Sequence, residues 1–149
     1  MIVVSNTSPL IALLRIQRLD ILKQLFGNVL ITPEVLAEAL PKQETDEYQY
    51  LQRAVDSFIT IKKPKANFLF RRTIQRGERS VLNLTFELNA DILIMDDRKA
   101  RNEAKEMNLD TFLAYTTDIL KFAEEKNIIS SFVEIQKQLK ERNIFLPEI

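Results

Sequence analysis

Polar and acidic side chains recur where this chain turns from strand to helix. Asn6-Thr7-Ser8 follows the apolar run Ile2–Val4, and Thr32 follows Asn28–Ile31. Asp96-Asp97 follows Ala90–Met95, and Thr116-Thr117-Asp118 follows Thr111–Tyr115. In a parallel sheet covered by helices, ligands bind beyond the carboxyl ends of the strands, where these residues would fall. Two further acids lie in helical sequence. Glu78 comes directly after Gly77, where a carboxylate complements the helix dipole, and Glu38 lies within EVLAEAL. Each acid also has a plain structural explanation: Glu78 as a first-turn residue, Glu38 as a solvent-facing one, Asp96 or Asp97 as a helix cap. The adjacent aspartates say more, because they concentrate charge after a buried strand. A divalent cation would offset that charge, as would Arg98, Lys99 or Arg101.

The chain contains no Cys and no His. That removes zinc sites of the usual kind, cysteine nucleophiles, disulfides and every Ser-His or Cys-His catalytic arrangement. Chemistry must rest on carboxylates, Lys, hydroxyls or a bound cofactor. Carboxylate ligands favour hard cations such as Mg²⁺ or Mn²⁺. The net charge is zero, yet the charges are unevenly placed. Between Lys62 and Arg79, the cations Lys62, Lys63, Lys65, Arg71, Arg72, Arg76 and Arg79 are opposed only by Glu78, whereas Pro33 to Asp56 is acidic. A clustered basic tract is either a solvated face or a phosphate-backbone contact. Phe68 and Phe70 within it are candidates for stacking on unpaired bases, although burial under the sheet edge is the preferred reading.

The elements that must position these residues alternate. Strands are predicted at Ile2–Val4, Asn28–Ile31, Phe58–Ile61, Ala90–Met95 and Thr111–Tyr115. Helices are predicted from Pro9 with Ser8 as N-cap, over Leu19–Phe26, from Pro33 with Thr32 as cap, and over Asp46–Asp56. Further helices are predicted after Gly77, over Asp97–Met107, over Thr116–Lys126 and from about Ser131 to Arg142, with a short helix from Asn67. Strands alternating with helices of this length predict an α/β fold, a mostly parallel sheet of about five strands with helices on both faces. With 149 residues the simplest organisation is a single domain, residues 1–149, ending in a helical tail over about 128–149. Apolar residues at 46% and charged residues at 28% are ordinary for a soluble domain. No run is long and apolar enough to span a bilayer and no signal peptide is indicated, so a cytoplasmic setting without membrane attachment is expected.

The order strand–Asn-Thr-Ser-Pro-Leu-Ile, strand–Thr-Pro-helix–Glu, Gly-Glu-helix, then apolar strand–Asp-Asp-Arg-Lys-Ala-Arg resembles the PIN domain. GERSVLNLTFELNADILIMDDRKAR is the most specific stretch, and EEKNIISSFVEIQKQLKERNIFLPEI fits the helical tail of a small prokaryotic PIN-like branch akin to VapC-type toxins. The resemblance runs through nearly the whole chain and implies a three-layer PIN-like fold. It also implies a ribonuclease with acids grouped around Mg²⁺ or Mn²⁺. Carried over by position, the motif's acids fall on Asn6, Glu38, Glu78 and Asp97, with Asp96 as neighbour or substitute. Thr7 and Ser8 are then candidates to bond a phosphate or a bound water, and Thr116 and Asp118 would lie close by. Arg71, Arg72, Arg76, Arg79 and Arg98 would draw RNA toward the acids.

Asn6 departs from the pattern, because an amide oxygen can ligate a hard cation but brings no charge and cannot act as a base. Two readings follow. One is a metal-dependent endoribonuclease, the toxin of a toxin–antitoxin pair, with RNA as substrate, a cognate antitoxin and a homodimeric state. The other is a catalytically weak or inactive PIN-like module that holds RNA or a protein partner. A receiver-like signalling domain fits poorly, since the paired aspartates come late in the chain.

Overall fold

A computed structural model describes residues 1–107 and 110–149. Five short strands form one all-parallel sheet: β1 (Val3–Ser5), β2 (Val29–Ile31), β3 (Ile59–Ile61), β4 (Ile92–Ile94) and β5 (Phe112–Ala114). Their order across the sheet is β3-β2-β1-β4-β5. Eight helices are found among the described residues: α1 (Thr7–Arg15), α2 (Asp20–Phe26), α3 (Pro33–Ala39), α4 (Asp46–Val55), α5 (Arg76–Leu88), α6 (Arg98–Glu106), α7 (Thr116–Glu125) and α8 (Phe132–Glu141). The architecture is the three-layer α/β arrangement expected, with helices covering both faces of the sheet. Parallel strands need such cover, which is why β1 is buried throughout and Leu93 of β4 is fully enclosed. None of the described helices is long and apolar enough to cross a membrane.

The chain builds outward from β1 to β2 and β3, then returns to place β4 on the other side of β1. Val3, Val4 and Ser5 lie opposite Ile92, Leu93 and Ile94. The strand order therefore reverses between β1 and β4, and the crevice at their carboxyl ends is the topological switch point of an open parallel sheet. Asn6 extends this ladder by one step, its backbone N–H donating to Ile94 O at 2.9 Å. This puts Asn6 level with Met95 and its two following aspartates.

Two local expectations are corrected. Ser8 does not cap α1, because the helix already begins at Thr7 and Asn6 occupies the N-cap position with extended backbone. No helix forms at Asn67 either. Residues 62–75 run as an irregular strap across α5 and α6. The strap's backbone donors are taken by side chains instead of by a helical ladder. Glu87 Oε1 accepts from Lys65 N–H (2.8 Å) and Ala66 N–H (2.7 Å). Asn83 Oδ1 accepts from Phe68 N–H at 2.9 Å, and Glu103 Oε1 from Arg72 N–H at 2.7 Å. Phe68 and Phe70 pack on Phe86, with ring centroids 5.7 Å and 6.3 Å away. They serve the strap as packing anchors.

A hydroxyl relay joins the two helices that carry Glu38 and Glu78. Thr32 caps α3 by accepting from Val35 N–H at 3.2 Å, and its Oγ1 lies 2.8 Å from Ser80 Oγ in α5. Ser80 donates its proton to Gly77 O at 2.6 Å, so Thr32 must be the donor to Ser80. Both hydroxyls are buried. Thr32→Ala and Ser80→Ala should each destabilise the fold by about 1–2 kcal/mol in urea unfolding. The double variant should lose less than the sum of the two. Strict additivity would mean that the relay does not couple α3 to α5.

Candidate active site

Asn6 stands at an N-cap position without capping. An asparagine there ordinarily turns its Oδ1 onto the first-turn N–H groups of its own helix. Here no such bond forms. The amide Nδ2 instead donates to Met95 Sδ at 3.1 Å, a weak acceptor, and Oδ1 is buried without a hydrogen-bond partner. An unsatisfied buried carbonyl of this kind costs about 1–3 kcal/mol. Thr7 Oγ1 is buried and unpaired beside it. The two atoms leave adjacent residues at the end of β1 with buried polar groups that no protein donor or acceptor satisfies.

Glu78 occupies the first turn of α5 and faces Asp97, which precedes α6. Its carboxyl is pushed up to about 7, first by burial, then by the negative charge of Asp97 and a hydrogen bond to that carboxylate, then by the charge of Glu38. Lys99 opposes these effects. Asp97 is also the N-cap of α6, its Oδ2 accepting from Ala100 N–H at 2.9 Å. Glu38 reaches the same place from α3 and lies against the first turn of α5. A Cβ added at Gly77 would overlap the Glu38 carboxylate, so the missing side chain at Gly77 is what lets Glu38 approach Glu78.

The sequence-predicted residues thus separate into two groups. Glu78 and Asp97 are in contact, Glu38 joins them electrostatically, and Asn6 lies at the adjoining strand end. Asp96 points elsewhere: its Oδ1 accepts from Thr116 N–H at 2.8 Å and its Oδ2 from Thr116 Oγ1 at 2.7 Å. That engagement orients Asp96 toward the start of α7. Asp118 likewise accepts from Tyr115 N–H at 2.8 Å at the start of α7. Among the predicted RNA contacts, Arg72 binds Glu106 at 2.8 Å and Arg71 lies 3.6 Å from the same side chain. Arg79 rests 5.2 Å from the centre of the Phe70 ring. These three arginines hold the strap, whereas Arg76 lines an open cleft with Glu34, Glu38 and Gln75. Ser8 and Arg98 are exposed.

Arg101 does something its place in the Asp-Asp-Arg-Lys-Ala-Arg stretch does not reveal. It is buried, with its guanidinium 3.5 Å from the centre of the Tyr115 ring. Its two terminal nitrogens donate to Met95 O at 2.8 Å and Leu113 O at 3.1 Å. It therefore ties together the ends of β4 and β5, just where the aspartates emerge, and makes no ion pair with either of them among the described residues. Its place four residues after the Asp97 cap, beside Ala100 and three residues before Ala104, was the available signal.

Among the described residues, no three acids converge tightly enough to hold an ion by themselves. The donor set nevertheless suits a hard cation once the amide is counted. It offers an orphaned buried Asn6 oxygen, two carboxylates forced together, and a third beside them.

An acid pair and an unpaired amide at the switch point of a parallel sheet define a class of carboxylate-centred α/β proteins. The PIN domain family model DUF3368 matches residues 2–148, and the chain belongs to that family. PIN domains are generally nucleases and typically use divalent metal ions. The structure is similar to that of a PilT N-terminus domain protein from the hyperthermophilic archaeon Sulfolobus solfataricus P2. The TM-score is 0.60 at 22% identity, over 83% of this chain and 93% of the other. At that identity the likeness concerns the fold. No curated protein matches the sequence.

The raised Glu78 pKa has a consequence for stability. Between roughly pH 4.5 and 7 the folded state holds a proton that the unfolded chain has released, so this group's contribution to stability falls as pH rises through that window. Glu78→Gln, which mimics the protonated form, should stabilise the metal-free protein at pH 8 by about 1 kcal/mol, the value expected after solvent screening of a half-exposed group. The advantage should vanish toward pH 4.5. Chemical denaturation of both proteins across this range checks it. A difference independent of pH would remove the opposed ionisation of Glu78 as the cause.

Proposed function

We propose that this chain is a Mg²⁺- or Mn²⁺-dependent endoribonuclease, and that it is the toxin component of a toxin–antitoxin pair. The observation that carries the reading is the contact of Glu78 with Asp97 beside the unpaired buried oxygen of Asn6. Family membership supports nuclease chemistry. The choice of RNA, the particular ion and the antitoxin rest on the resemblance of the sequence to VapC-type toxins. A homodimer is proposed on the same ground, and the exposed Phe112 and Phe122 offer it an apolar surface.

Asn6, Glu38, Glu78 and Asp97 are the residues that would hold the cation. When bound, it supplies an activated water and counter-charge for the phosphodiester transition state. The protein's own part is positional. Asp97 is fixed by its cap bond to Ala100, so its second oxygen is presented in one orientation. Glu78 is where proton and cation compete, because its carboxyl titrates near neutrality without the cation. Binding should therefore strengthen as pH rises through about 7. Arg76, beside Glu38 in the open cleft, is the tract residue best placed to meet an incoming phosphate. Lys99, already acting on Glu78, adds further positive charge.

Purified protein should cleave structured RNA with Mn²⁺ present, and Glu78→Gln should abolish cleavage. Gly77→Ala should fold with nearly unchanged stability, since the atom it displaces is the end of a flexible side chain. It should nevertheless weaken Mn²⁺ binding, measured calorimetrically, by roughly ten-fold or more, because Glu38 is pushed away. Inactivity on tRNA and rRNA together with no detectable Mn²⁺ binding would sink the nuclease reading.

Asn6 favours a second reading, a PIN-like module that holds RNA without cutting it. Asn6→Asp separates the two. If that change creates activity where the native chain has none, the native protein is a binder. If the native chain already cleaves, the amide is a working ligand.

A further inference from the structure

After α8 the chain turns back toward the strand ends. Asn143 adopts a left-handed backbone, φ 60°, and Ile144 N–H donates to Leu139 O at 2.9 Å, which closes the helix. From there Ile144 and Leu146 pack against the core, while Phe145 between them is 69% exposed. Alternation of this kind is extended geometry, with two neighbours as anchors and the ring held outward. The anchored segment leaves a cleft of about 270 Å³ against α1, lined by Ser8, Ile11, Ala12, Asp96, Asn143 and Phe145 among others. Ser8 stands in the first turn after β1 and Asp96 leaves the end of β4, so the cleft lies at the same strand ends from which Asn6 and Asp97 emerge.

The lining selects among ligands. No Lys or Arg lines the cleft among the described residues, and Asp96 contributes negative charge, so a phosphate is disfavoured there. Apolar side chains from α1, one exposed aromatic ring and the neutral polar groups of Ser8 and Asn143 suit a flat heteroaromatic ring with hydrogen-bonding edges. We propose that this cleft is a nucleobase subsite, in which an unpaired base of the RNA stacks on Phe145 while its edge meets Asn143 or Ser8. The proposal rests on the reading of the chain as an RNA nuclease, and it adds a determinant of which nucleotide lies next to the cut. Continuity with the acid site favours a base over a protein side chain as the occupant.

The test uses the full chain carrying Glu78→Gln, with Mg²⁺, and short single-stranded oligoribonucleotides bearing 2-aminopurine at successive positions. Stacking should quench the probe strongly at one position. Adding Phe145→Ala should remove that quench and weaken affinity roughly ten-fold, while Phe145→Tyr keeps both. Because Phe145 is largely exposed, its truncation should leave the thermal transition in place. Equal quenching and affinity in the Phe145→Ala protein would overturn the subsite, and RNA cleavage by the native chain would then still stand. Failure of every form to bind RNA would overturn the subsite together with the RNA reading, as cleavage tests on the native chain would independently reveal.

Discussion

Because β4 pairs with β1 instead of with β3, two strand ends separated by 89 positions are brought level, and the helices that leave them must diverge. Asn6 and Met95 sit at the floor of the crevice so formed, and the segment after Met95 emerges directly into it. Every other device near the site serves that opening. Arg101 ties Met95 O to Leu113 O so that β4 and β5 end together. Thr116 takes up Asp96, and the Thr32–Ser80 relay sets the spacing of α3 and α5. Without the β1–β4 register these contacts would have nothing to align.

Much of the fold was legible because its signals are local. The apolar runs at the five strands, the Thr32-Pro33 start of α3 and the Asp97 cap of α6 depend on neighbours a few residues away. The strap over residues 62–75 was not legible, since its backbone donors are taken by Glu87, Asn83 and Glu103 from distant helices. Sequence also could not divide the roles of Asp96 and Asp97. They are adjacent, so extended backbone sends them to different sides, and only the position of Thr116 decides which one is engaged. The basic tract shows the same limit from the other direction. Its charge was correctly read as clustered, yet Arg71 and Arg72 meet carboxylates of α6 that no nearby residue announces.

The acid site runs against stability, and the surrounding structure shows how that conflict is contained. Burial, and then the nearby charge of Asp97, oppose the ionisation of Glu78 at neutral pH. A fold seeking only stability would place a neutral or basic side chain there. Two basic side chains are engaged elsewhere, Arg101 with carbonyls and Arg72 with Glu103 and Glu106, and Lys99 offsets only part of the repulsion at Glu78. Glu106 is held below the usual carboxylate range by its hydrogen bond to Arg72, a solvent-exposed pair that orients the strap. Arg101 and Arg72 are thereby committed to architecture, and the carboxyl of Glu78 stays raised despite Lys99.

Asn6 belongs to the same logic. An aspartate at this position would put a further carboxylate on the crevice floor, buried at 5% exposure and facing a thioether instead of a strong donor. Without a bound cation that charge would be costly to bury, and the pKa of Glu78 would be driven higher still. The amide avoids this penalty and keeps an oxygen in place, at the lesser cost of one unsatisfied carbonyl. It therefore lowers the electrostatic attraction for a cation while leaving a ligand geometry intact. On these grounds the amide favours stability of the site without a cation, and in the proposed reading the charge on Glu38, Glu78 and Asp97 would carry the attraction for one.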